Sequence, residues 1–136
     1  MGIVYEEITL KNAADLTAVQ LGVMKENEVR SVIVKAMVDT GAGTLIINEE
    51  VRQKLGLDVN QVRESTLADG SKQIYSQMDP VWVYCKNRDM VCMPLLLPGA
   101  DEVLLGAIPL EDMDLMVDPK NEVLVGRHGD HPVTRV

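Results

Sequence analysis

A single carboxylate between two apolar segments constrains this chain more than any other feature. Residues 34–47 read Val-Lys-Ala-Met-Val-Asp-Thr-Gly-Ala-Gly-Thr-Leu-Ile-Ile, so Asp39 ends one apolar strand and a second strand follows closely. Burying an uncompensated charge is costly, but a glycine-rich turn can bring backbone N–H groups close enough to hold the carboxylate ionised. An ordinary β-turn with Asp at its first position would use the same residues. The rest of the sequence must therefore decide between a simple turn and a functional site.

Short apolar segments separated by turn signals recur about every ten residues. With 136 residues and 46% apolar composition, the chain is long enough for one domain with its own core. This pattern predicts an all-β, barrel-like domain. We expect a hairpin over residues 62–77, and strands at residues 3–10, 16–24, 29–38, 44–47, 81–86, 90–97, 103–106, 115–117 and 122–125.

One segment has clear helical signals. Asn48 is a good N-cap, Glu49 and Glu50 suit the positive end of a helix dipole, and Gly56 suits the residue that ends the helix. A second, shorter helix is expected from Pro109, because proline is favoured in a first helical turn. We therefore predict one or two short helices in an otherwise β-rich domain.

Charge and composition exclude several classes of function. The net charge is −8 and the pI about 4.7, which argues against binding to nucleic acid or to anionic membranes. No targeting signal or membrane-spanning run is visible, so we expect a cytoplasmic protein. Cys85 and Cys92 flank a predicted turn and could face each other on paired strands, yet they should remain thiols in a reducing compartment. Phe is absent, so methionines are expected to fill gaps in the core.

The Asp39 segment also resembles a known family. Val38-Asp39-Thr40-Gly41-Ala42 is similar to the active-site loop of retropepsin-like aspartic proteases. These enzymes carry a downstream strand of two apolar residues and a glycine, matched here by Leu104-Leu105-Gly106. Between the two lies a hairpin flap, for which Leu67-Ala68-Asp69-Gly70 is a fair match. The matching elements occur in the right order over residues 34–125.

The resemblance implies a fold and an assembly. The fold would be a closed acid-protease-like barrel of the single-domain type found in bacteria or archaea, with a protease domain over residues 1–126. The polar tail, residues 127–136, would be loose unless a partner orders it. Because Asp-Thr-Gly occurs once, two copies of the chain would be needed. In a two-fold homodimer, Asp39 would meet Asp39 of the partner subunit on the axis.

The resemblance also implies roles for individual residues. Asp39 would be catalytic, and Thr40 would supply hydroxyl hydrogen bonds that link the two loops. Gly41 would donate its N–H to the carboxylate, and Ala42 is the small residue of the retroviral version. The supporting strand would pack behind this loop and consists of Leu104, Leu105 and Gly106. The flap that closes on a peptide would consist of Leu67, Ala68, Asp69, Gly70 and Ser71.

These roles predict an aspartic endopeptidase that needs no cofactor or metal and acts on peptides or proteins. The alternative is a catalytically silent, dimeric peptide-binding or assembly module with the same fold. His128 and His131 could ligate a metal beside Asp130, but two histidines without a further clustered ligand are a weak signal. Where the viral enzymes often have Arg and a polar residue after the glycine, this chain has Ala107-Ile108. The dimer is therefore expected to close differently.

Overall fold

The computed structural model describes residues 2–66, 68–97 and 99–133 of the chain. It confirms the all-β prediction, with three short helices rather than one or two. The elements are β1 (Val4–Asn12), α1 (Ala13–Gln20), β2 (Ser31–Val38), β3 (Leu45–Ile47), α2 (Glu49–Leu55), β4 (Val59–Thr66), β5 (Lys72–Met78), β6 (Val81–Cys85), β7 (Arg88–Cys92), β8 (Leu95–Leu96), β9 (Val103–Leu105), α3 (Ala107–Asp112), β10 (Leu115–Asp118) and β11 (Val123–Gly126).

Nine strands form one curled sheet in the order β4-β5-β8-β3-β9-β2-β1-β6-β7, and β10 pairs with β11 in a separate two-stranded sheet. The centre of the large sheet is β9, which is parallel to β2 and antiparallel to β3. Because β9 occupies the space between β2 and β3, the loop that joins these two strands must pass over the end of β9. That loop contains Asp39.

The core lies on one face of the sheet and is aliphatic. Its largest fully buried side chains include Ile8, Leu45, Leu105 and Met113. The methionine prediction is confirmed at Met78, Met90 and Met113, which are all buried, while Met93 and Met116 lie on the surface. Unbranched methionine adapts to irregular gaps, which suits a core without phenylalanine.

The predicted strand at residues 16–24 is wrong, because α1 occupies most of it. The Asn12 side chain caps this helix by accepting a hydrogen bond from Asp15 N (3.1 Å). Asp15 is buried and accepts hydrogen bonds from Arg30 Nε and Nη2, both at 2.9 Å. These bonds from Arg30 hold the pKa of Asp15 below its ordinary value. The apolar residues of α1 do not fall on one face, so the usual helical signal was missing.

The prediction for α2 is confirmed. Asn48 Oδ1 accepts a hydrogen bond from Val51 N (2.9 Å), and Gly56 ends the helix in the left-handed conformation with φ 62°. A glycine adopts this conformation without the steric cost that a Cβ would add. The short helix expected from Pro109 is also present, although it begins two residues earlier, at Ala107.

The two cysteines do not face each other across the β6–β7 hairpin. Cys85 pairs with Arg88 and Cys92 pairs with Val81, so the cysteines lie at opposite ends of the hairpin, too far apart for a disulfide. Burial raises the pKa of the Cys85 thiol to about 11 and that of Cys92 to about 12. Both groups are therefore protonated, unreactive thiols at neutral pH.

The described part of the C-terminal tail is held to the domain, contrary to the expected looseness. Buried Asp114 accepts a hydrogen bond from Val133 N (3.1 Å) and contacts His128 Nδ1 (2.6 Å). Buried Arg88 donates to the carbonyl oxygen of Gly129 (2.9 Å). Burial alone would raise the pKa of Asp114, but the His128 and Val133 bonds and the nearby Arg88 charge lower it by more.

Candidate active site

Asp39 lies at the end of β2, where the chain leaves the sheet. Its N–H donates to Leu105 O (3.0 Å), which extends the ladder between β2 and β9 by one residue. Its carboxylate accepts a hydrogen bond from Gly41 N at Oδ1 (2.9 Å), and its carbonyl accepts one from Ala42 N (3.0 Å). Within the described residues, the other carboxylate oxygen has no hydrogen-bond donor. The loop therefore fixes a half-buried carboxylate and leaves one oxygen available.

The loop is braced from below by the chain that follows β9. Ala107 N donates to Ala42 O (2.8 Å), and Ile108 N donates to Gly43 O (3.1 Å). Gly106 is buried between these bonds, and a Cβ on it would clash with Thr44 O and lie 2.7 Å from Ala42 O. Only glycine allows such a close approach of the two backbones. The apolar-apolar-glycine strand and the Asp39 loop thus form one unit.

The two leucines of the supporting strand have different surroundings. Leu105 pairs with Val38 and Leu45 on the core face and is fully buried. Leu104 pairs with Met37 and Ile46 on the opposite face and is half-buried. Because side chains alternate along a strand, Asp39 follows Met37 on the face of Leu104. Leu105 therefore packs behind the loop, whereas Leu104 lies beside the carboxylate.

Met37 and Ile46 were not predicted as site residues. Together with Leu104 they form a row across β2, β9 and β3, which we call the apolar floor. Ile46 is 8% exposed although it lies outside the main core cluster. The sequence signal was present, since each of these residues alternates along its strand with residues that face the core. It could not be used without knowing that β9 lies between β2 and β3.

The expected flap is a hairpin of β4 and β5, which pair from Val59 to Met78. Thr66 pairs with Lys72, so residues 67–71 form a five-residue connection instead of the two-residue turn expected at Asp69-Gly70. Gly70 adopts a positive φ of 86° in this connection. The Asp69 carboxylate stabilises the turn by accepting a hydrogen bond from Ser71 N (2.9 Å). The hydroxyl and N–H of Ser71 hold the pKa of Asp69 below its ordinary value. Ala68, Gly70 and their neighbours are exposed, and Leu67 lies outside the described residues.

Comparison with protein families decides what this geometry belongs to. A family model described as "gag-polyprotein putative aspartyl protease" matches residues 26–112, which span the Asp39 loop, the β4–β5 hairpin and β9. The chain belongs to this family of retropepsin-like aspartic proteases. The resemblance noted in the sequence is thereby confirmed over about two thirds of the chain.

One of the solved structures that align with this chain shows the same fold. The retroviral protease-like domain of Ddi1 from Leishmania major aligns over 99% of this chain and 96% of its own, with 17% identity and a TM-score of 0.57. A retropepsin-like aspartic protease from Rickettsia conorii aligns over 86% of this chain and 85% of its own, with 20% identity and a TM-score of 0.46. A comparison with curated protein sequences gives no significant match.

In residues 2–66, 68–97 and 99–133, no group of three or more His, Cys, Asp or Glu side chains is arranged to hold a metal ion. His128, one of the two histidines considered for that role, instead contacts Asp114. None of the helices in the described part of the chain is long and apolar enough to span a membrane.

Proposed function

We propose that this protein is an aspartic endopeptidase in which Asp39 from each of two subunits activates a water molecule. The observation that carries the proposal is the Asp39 loop. Its carboxylate is fixed at one oxygen by Gly41, presented on the apolar floor, and left with its second oxygen available. A carboxylate that served only as a turn cap would not need the backbone bonds from Ala107 and Ile108 that brace its loop from behind.

The proposed chemistry uses two carboxylates that share one proton. The ionised member takes a proton from water, and the protonated member donates to the carbonyl oxygen of the scissile peptide bond. Two like charges a few Å apart cannot both ionise easily, which keeps one proton in the pair. This mechanism requires peptide or protein substrates and no cofactor.

The second carboxylate must come from another copy of the chain, because Asp-Thr-Gly occurs once. An isologous two-fold interface would bring the two Asp39 loops together. Thr40 is exposed at the front of the loop, and within the described residues its hydroxyl makes no hydrogen bond, so it is available to the partner's loop. Ile108 is 58% exposed beside Gly43. An apolar contact there would close the dimer differently from the viral enzymes, which often have Arg and a polar residue in place of Ala107-Ile108.

The first prediction is that activity depends on dimerisation. Specific activity should fall as the protein is diluted through its dimer dissociation constant, because a monomer contains only half of the dyad. Sedimentation and peptide cleavage should be measured over the same concentration series. Two copies joined by a flexible Gly/Ser linker provide the control, since the linked pair should keep its activity on dilution. Full activity in a sample that sediments as a monomer would exclude the shared site.

The second prediction concerns the hairpin as a flap. Gly70→Val should lower peptide cleavage strongly, because a β-branched residue resists the positive φ that this position adopts. Gly22→Val is a matched control, since Gly22 also has a positive φ (77°) and open space around it but lies outside the hairpin and the Asp39 loop. Both variants should lose similar stability in thermal unfolding. Equal activity in the two variants would mean that the hairpin does not act on the substrate.

The experiment that separates a protease from a silent binding module is direct. The purified protein is incubated with a diverse peptide mixture, with and without an aspartic-protease inhibitor, and the products are identified by mass spectrometry. We expect internal cleavages that the inhibitor abolishes. Binding of peptides without cleavage would support the module instead.

A reducing, cytoplasmic location is part of the proposal, because the separated thiols Cys85 and Cys92 need no oxidising compartment.

A further inference from the structure

A tyrosine and a glutamate from opposite ends of the chain meet beside the apolar floor. Tyr5 pairs with Met37, which in turn pairs with Leu104, so Tyr5 lies on the same sheet face as the floor. Tyr5 donates its hydroxyl to Glu102 Oε1 (2.9 Å), although the two residues are 97 positions apart. The Tyr5 side chain therefore crosses over β2 and holds a carboxylate two residues before Leu104.

This carboxylate is not neutralised within the domain. Glu102 is exposed, and among the described residues no Lys, Arg or His forms an ion pair with it. The hydrogen bond to Glu102 raises the pKa of Tyr5, so the phenol remains a donor at neutral pH. The bond occupies one carboxylate oxygen and leaves the other able to accept from a ligand.

Two other charged groups lie on the same sheet face as Glu102. Lys35 and Glu7 pair with each other in β2 and β1, two residues beyond Met37 and Tyr5 on the same face. Continued by one residue, the register of β2 and β9 places Lys35 beside Glu102, yet the two form no ion pair among the described residues. Glu102 is thus an unpaired carboxylate at the edge of the floor, on the side of Leu104 away from the Asp39 loop.

We propose that Glu102, oriented by Tyr5, binds a Lys or Arg side chain of the substrate next to the scissile bond. This inference rests on the proposed peptidase function and names its substrate class. The aliphatic stem of a Lys or Arg would lie on Met37 and Leu104, while its charged end reaches the carboxylate, as long basic side chains do at apolar surfaces. The net charge of −8 per chain would attract such peptides over longer distances.

The test uses peptide pairs built on a sequence that the wild-type protein cleaves, with Lys or Met at each position flanking the cut. At one position, kcat/KM for Lys should exceed that for Met by about tenfold, the effect of one partly desolvated charged hydrogen bond. Glu102→Gln should remove this difference by lowering kcat/KM for the Lys peptide to the value for the Met peptide. Tyr5→Phe should reduce the difference, because the ring is kept while the bond that orients Glu102 is lost.

Glu7→Gln is the matched control, since it removes the same charge from the same sheet face beyond Lys35. A loss of the Lys preference in both Glu variants would show long-range attraction by net charge and overturn the local assignment. Cleavage of Lys and Met peptides at equal rates by wild type would also overturn it, while leaving the peptidase function intact.

Binding of the same peptides to Asp39→Asn protein separates the two proposals. If the wild type cleaves nothing but Asp39→Asn protein binds the Lys peptide more tightly in a Glu102-dependent way, the peptidase function fails and the Glu102 site stands. If neither cleavage nor Lys-selective binding is found, both are wrong. Thermal unfolding of each variant checks that the Tyr5–Glu102 pair has been changed without loss of the fold.

Discussion

Asp39→Asn is expected to abolish peptide cleavage, with a loss of at least about a thousandfold in kcat. Asparagine nearly preserves the shape of the side chain but cannot take a proton from water. The loop should survive, because the Asn carbonyl oxygen can still accept from Gly41 N, which lies 2.9 Å from Oδ1 in the wild type. The variant dimer should be at least as stable as the wild type, since repulsion between two like charges is relieved. Cleavage of one peptide by both proteins, at matched dimer concentration, measures the effect.

The pH profile distinguishes a dyad from a single carboxylate. A pair that shares one proton works only when singly protonated, so wild-type kcat/KM should be bell-shaped over about pH 3 to 8. A single general base would instead give a rate that rises to a plateau. Asp89→Asn, a change at an exposed carboxylate on β7, should leave the profile unaltered. Equal rates for wild type and Asp39→Asn would mean that Asp39 is a turn residue and the protease proposal is wrong.

Gly106→Ala should strongly destabilise the fold, although it adds only one methyl group. The new Cβ would meet the backbone of Thr44 and the carbonyl of Ala42, 2.7 Å away, and backbone atoms cannot rotate aside as side chains do. Overpacking at such a site costs about 3 kcal/mol or more. For a domain of this size that lowers the melting temperature by roughly 10 °C. The bond from Ala107 N to Ala42 O would be disturbed as well, so activity should fall with stability.

Gly43→Ala tests the same substitution in the same loop without the clash. No heavy atom lies within 4 Å of the Cβ that would be added there, so its melting temperature should stay within about 2 °C of the wild type. Thermal unfolding of both variants is the measurement. A Gly106→Ala protein that unfolds at the wild-type temperature would show that the loop and β9 are not packed as the structure describes.

Local chemistry made several features predictable. Asn48 and Gly56 mark the ends of α2 by capping rules that involve only neighbouring residues. The glycines around Asp39 indicated a turn holding a carboxylate, and the observed Gly41 bond is the local contact expected of such a turn. The β4–β5 hairpin followed from Asp69-Gly70, although the connection is longer than expected. These signals act over a few residues, so a single sequence is enough to read them.

Helix α1 shows where local reading failed. Its apolar residues have no helical periodicity, and its strongest tertiary contact is the pair of bonds from Arg30 to buried Asp15. A short helix gains little stability on its own, so packing and this ion pair decide its conformation. The Asn12 cap was present in the sequence, but the apolar residues up to Met24 and the polar turn after them favoured a strand.

The sequence by itself determined the family and the position of the candidate catalytic carboxylate, because both depend on a local motif. The single copy of that motif is also the reason why a second chain is proposed to complete the site. Tertiary structure decided which residues surround that carboxylate. Inserting β9 between β2 and β3 places Leu105 in the core and Leu104 beside Met37 and Ile46. Strand alternation shows that the two leucines face opposite sides of the sheet, but not which side is the core. It also brings Tyr5 to Glu102 across 97 positions. Such contacts are set by strand order and register, which arise from burying one whole face of the sheet rather than from any local pattern.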